Sequence, residues 1–151
     1  MLFKLLNLHY DIIHLNDFLH VPKLALDGKN WVIYKDRLTL SVQACCLRGN
    51  LDGTAAKSTE PAVTQAPANR ALTDEEKEKI TTYKNDLKEF FQKEAIVLQQ
   101  VTSMILDSHY LNIRGKPTVK EAWHLLKPDF EKRSQMFMVD LSCWLQDEKV
   151  R

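Results

Sequence analysis

The chain has little with which to build several common kinds of site. Only four of its 151 residues are glycine, and none of them falls in a phosphate-cradling loop or a dinucleotide fingerprint. Its three cysteines, Cys45, Cys46 and Cys143, are odd in number, two are adjacent, and no Cys-x-x-Cys or Cys/His quartet occurs. A disulfide framework and a structural zinc site of the usual spacing are both excluded, leaving three reduced thiols in a cytosolic setting. Neither charge sign dominates: 21 Lys+Arg stand against 20 Asp+Glu, so no global field draws the chain to nucleic acid or to an anionic membrane. No apolar run reaches the ~20 residues of a membrane span. Asp11, Asp17 and three histidines interrupt the apolar leader before it attains signal-peptide quality. The expectation is a soluble, cytoplasmic protein.

What is present is a globular composition with helical periodicity. The leader, residues 1–21, has no clean period of 2 or 3.6. Asn30 is the expected N-cap of a helix starting at Trp31, in which Trp31, Tyr34, Leu38, Val42 and Cys45 form one apolar stripe opposite Lys35, Asp36 and Arg37. Gly49 and Asp52-Gly53 are expected to end it in a loop. Residues 54–71, rich in Ala, Thr, Ser, Pro and Gln, form the expected flexible linker. Thr73-Asp74-Glu75-Glu76 is a capping box, so a long helix begins at Thr73 and runs to about Leu106. Ile80, Tyr83, Leu87, Phe90, Val97, Val101 and Met104 make its stripe, and Glu94 falls on the same line.

Tyr110, Leu111 and Ile113 should tuck a short connection against the core. A second capping box, Thr118-Val119-Lys120-Glu121, opens another helix. Pro128 lacks a donor and clashes with the preceding turn, which predicts a break or kink near Lys127. Phe130, Phe137, Leu141, Trp144 and Leu145 supply a last amphipathic stripe. The pattern reads as all-α, a small helical bundle forming a single domain over residues 22–149. Its expected core is Trp31, Leu38, Leu87, Phe90, Trp123, Leu126 and Phe130.

Chemistry-bearing constellations are thin. Glu121-Ala-Trp-His124 has the Glu-x-x-His spacing of a di-iron helix, but no second copy or further glutamate pair accompanies it, so a capping glutamate and a surface histidine are expected. His9, His14 and His20, spaced by five and six, share no helix face as metal ligands would. Cys45 or Cys143 with His124 carries no recognised nucleophile signature. Glu94 could be a buried acid, although a surface pairing with Lys88 or Lys93 is the commoner fate of such a residue. No enzyme and no cofactor is expected. Between Arg114 and Arg133, six basic residues (Arg114, Lys116, Lys120, Lys127, Lys132 and Arg133) face three acidic ones, a local excess that could touch RNA phosphate.

Three stretches carry a resemblance. Pro22 to Leu38 contains Leu26-Asp27-Gly28-Lys29-Asn30-Trp31, and Leu47 to Gly53 reads Leu-Arg-Gly-Asn-Leu-Asp-Gly. Together they resemble the L-x-G-x-N-[YW] … G-x-[LV]-x-G opening of Gag polypeptides of copia-type LTR retrotransposons, with Tyr34 where that pattern usually has Trp. The long Thr73 helix, with Glu89-Phe-Phe-Gln-Lys-Glu-Ala-Ile and Gln99-Gln100, follows in order. Thr118 to Lys127 (Thr-Val-Lys-Glu-Ala-Trp-His-Leu-Leu-Lys), with Asp129-Phe-Glu and Met138-Val-Asp-Leu141, is similar to the Lys-Glu-Ala-Trp segment of fungal copies. The resemblance covers about residues 22–149 and omits the leader.

It implies a retroviral-capsid-like helical N-terminal domain that self-associates into a shell around element RNA. It also implies a truncated copy, since the remaining capsid helices, the zinc knuckle and the downstream enzymes of such an element do not follow Arg151. Exposed apolar side chains would carry assembly, with Phe91, Leu98 and Phe137 the candidates. The alternative is a host helical adaptor derived from such an element, binding a partner helix.

Overall fold

A computed structural model describes residues 21–62 and 70–149, so the leader 1–20 and the middle of the expected linker lie outside the described residues. Five helices and no strand occur among the described residues, an all-α bundle. They are α1 (Trp31–Ala44), α2 (Arg48–Asp52), α3 (Asp74–Ser103), α4 (Asp107–Ile113) and α5 (Val119–Lys149).

Helix α1 starts where expected, but not by the expected device. Asn30 occupies the cap position without capping: its Oδ1 accepts the Ala25 amide at 2.8 Å and its Nδ2 donates to the Lys23 carbonyl at 2.7 Å. The side chain therefore pins the preceding loop into a bight. Within that bight Gly28 takes φ +73°, and its α-carbon faces Phe130 and Arg133 so closely that a Cβ would stand 3.0 Å from Arg133 Cβ. The Arg133 guanidinium closes the same junction by donating to the Leu26 carbonyl at 2.8 Å.

The stripe Trp31, Tyr34, Leu38, Val42 and Cys45 is buried as its period requires. Trp31 packs between Tyr34, Trp123 and Phe130, with ring centroids 5.5–5.9 Å apart. Helix α1 ends in a Schellman motif: the Cys46 amide donates to the Gln43 carbonyl (3.0 Å) and the Leu47 amide to the Val42 carbonyl (2.9 Å). The left-handed position is Cys46 itself, φ +58°. The chain then makes another helical turn-and-a-half, α2, where a loop was expected. Its two glycines do not break it, because Gly49 lies inside and Gly53 serves as the left-handed C-cap.

Both halves of the Thr73 capping box form. The Glu76 amide donates to Thr73 Oγ1, and the Thr73 amide to Glu76 Oε2 at 2.9 Å, which holds the Glu76 carboxyl below its ordinary pKa. Helix α3 runs 30 residues, about 45 Å at 1.5 Å per residue, and stops at Ser103, slightly short of the expected end. Its last turn is tied to the core by two backbone acceptors. The Tyr34 hydroxyl donates to the Val101 carbonyl (3.1 Å), and the Leu24 amide to the Met104 carbonyl (2.7 Å).

Only Val97, Gln100 and Val101 of this helix are buried. Leu87 and Phe90, expected in the core, are only half-buried. The period identifies the face of a helix correctly, yet how far along that face a partner reaches is decided by the rest of the fold. Over that stretch the partner is residues 54–62: the Ala55 amide bonds the Gly49 carbonyl and Ser58 reaches Asp86.

The expected connection after α3 is mostly helix α4. Ile113 is buried in the core, whereas Tyr110 and Leu111 point to solvent and His109 takes the inward position, edge-on to Phe130 at 4.7 Å between centroids. His109 and Ile113, four residues apart, share the inward face of this two-turn helix, and that turns Tyr110 and Leu111 outward.

A break or kink was expected near Lys127, and there is no break: helix α5 is continuous for 31 residues through Pro128. Pro128 and His124, whose carbonyl loses its partner, are both exposed, so the lost hydrogen bond is not a buried one. Trp123, Leu126 and Phe130 anchor the helix on either side of it. No helix among the described residues is long and apolar enough to cross a membrane.

Candidate interaction surfaces

Helix α5 buries one face against the core at Val119, Ala122, Trp123, Leu126, Phe130 and Ser134. Beyond Phe137 no residue of the helix is covered by any other described element, and Leu141, Trp144 and Leu145 stand exposed. On α3, whose N-terminal part is flanked by residues 54–62, Phe91 is the one large apolar side chain left exposed, at 49%. Helix α5 thus leaves an apolar stripe uncovered beyond the core, and α3 a single ring.

The three self-association candidates occupy different situations. Phe91 is exposed, edge-on to Phe90 at 5.7 Å, with the Lys57 ammonium 5.2 Å from its ring centre. Leu98, two turns further along the same face of α3, is partly buried and packs on the core. Phe137 is half-buried on α5, with the Lys29 ammonium 5.6 Å from its centroid. Phe91 and Phe137 belong to separate helices, and the fold does not make one patch of them.

The six basic positions are likewise dispersed. Arg114 and Lys116 flank the turn after α4. The Lys120 side chain lies across Gly53, where an added Cβ would collide with it. Lys127 pairs with Glu131 at 3.9 Å and Arg133 with Asp129 at 3.0 Å. Lys120 and Lys132 are twelve residues apart, about 18 Å along the helix, and face different directions. Half of the set is engaged within the fold, and no continuous basic track results.

Glu94 proves to be the least anticipated residue. It pairs with neither Lys88 nor Lys93; Lys93 binds Glu89 at 2.6 Å. Instead Glu94 Oε1 accepts from Asn50 Nδ2 (3.0 Å) and Oε2 from the Val119 amide (2.9 Å), so one carboxylate joins α2, α3 and the first turn of α5. The second capping box is only half made. The Glu121 amide donates to Thr118 Oγ1 at 3.3 Å, while the Glu121 carboxylate accepts from the Thr118 hydroxyl rather than from the Thr118 amide, and Glu94 caps the next amide, that of Val119. Glu121 and His124 are both exposed. Cys45 is buried, Cys46 and Cys143 are exposed, and none of the three is in a disulfide.

Two open clefts border the N-terminal half of α3. One lies between Ser58, Pro61, Lys79 and Tyr83, the other between Cys46, Asn50, Thr54, Phe90 and Lys93. Ser58 and Asp86 line both.

No family model matches the chain, and neither does any curated protein or solved structure.

Proposed function

We propose that the chain is a Gag-like structural protein of a copia-type retrotransposon, without catalytic activity, which self-associates in the manner of a capsid and meets RNA only secondarily. The observation that carries the reading is the set of large apolar side chains left facing water on the two long helices, Leu141, Trp144 and Leu145 at the uncovered end of α5 and Phe91 on α3, and such residues mark interaction sites. A shell needs at least two distinct self-contacts, because a single two-fold contact closes at a dimer. The two helices offer two.

The residues that carry the resemblance also support it. Leu26 to Trp31 forms the junction that seats α1 on α5, with Gly28 against Phe130 and Asn30 holding the bight. Ala122 and Trp123 of the Lys-Glu-Ala-Trp stretch complete that same core. Short motifs far apart in sequence thus serve one structural joint, as they would in an inherited domain.

Sedimentation of the full chain over a range of concentrations tests the reading. Species larger than a dimer are expected, and Phe91→Glu should remove them while leaving helix content intact. A monomer at every concentration defeats it. Purification from cells separates the host-adaptor alternative: element RNA and self-copies accompany a Gag-like protein, one dominant host protein an adaptor.

A further inference from the structure

We draw no further inference here: the strongest candidate, the apolar surface patch of Leu141, Trp144 and Leu145 at the outer end of α5, carries none because nothing in the structure shows what covers it.

Discussion

Glu94 accepts the backbone amide of Val119 at 2.9 Å, so the first turn of α5 is capped by a side chain from the middle of α3, twenty-five residues earlier. A helix N-terminus carries unsatisfied amides and a partial positive charge, and a carboxylate answers both. Because the other oxygen holds Asn50 on α2, Glu94 fixes where three helices meet. Glu94→Ala should destabilise the fold by about 2 kcal/mol, the scale of two charge-assisted hydrogen bonds at a half-buried site. Glu94→Gln, which keeps an acceptor for one partner, should cost roughly half as much. Urea melts of the three proteins check this, and equal losses for both variants would reduce Glu94 to a space-filler.

Cys46 occupies a left-handed position that most Schellman motifs give to glycine. Its side chain is exposed, so little packing is lost on removing it. Cys46→Gly should stabilise the chain by about 1 kcal/mol, the strain of a Cβ in that region less the extra freedom glycine gives the unfolded chain. Thermal melts under reducing conditions measure it. A loss of stability would mean that the thiol makes a contact outweighing the strain.

These two sites show what could and could not be read from residues alone. The Thr73 box was legible because all its partners lie within three residues, and the α1 stripe because five large side chains repeat at helical spacing. Glu94 was visible as an acid on an apolar seam, yet its partner is an amide that only the folded chain brings near. Asn30 marked the right boundary for the wrong reason: cap preference locates a helix start, but its amide group was already committed to Ala25 and Lys23. Leu87 and Phe90 fell on the predicted face, and local period carries no information on how much of a 45 Å rod another element covers.

Tyr34 gives the fold a dependence on alkaline pH. Burial pushes its hydroxyl well above its ordinary pKa of about 10. The folded protein therefore keeps this proton where the unfolded chain gives it up. Stability from this group is complete below pH 10 and falls as pH rises above it. Tyrosinate absorbance from Tyr34 should appear only as the chain unfolds, and Tyr34→Phe should flatten the decline between pH 10 and 11. The same variant forfeits the bond to the Val101 carbonyl and should lose about 1 kcal/mol at neutral pH. A parent and variant that decline in parallel above pH 10 would exclude Tyr34 as the cause.

Gly28 is the narrowest point in the joint between α1 and α5. Its φ of +73° is one that an L side chain adopts at a cost of about 1–2 kcal/mol. Here a Cβ would also press on Arg133 Cβ at 3.0 Å, while meeting Phe130 only at ordinary contact distance. Arg133 cannot yield freely, since it is held by Leu26 and Asp129. Gly28→Ala should therefore cost at least about 2 kcal/mol, more than the same change at Gly115, which also has positive φ but nothing near its α-carbon. Gly115→Ala isolates the backbone term, and the difference between the two measures the close approach. If chemical denaturation gives the two variants the same loss, the bight at Gly28 does not press on α5, and the joint must be held by Trp31 alone.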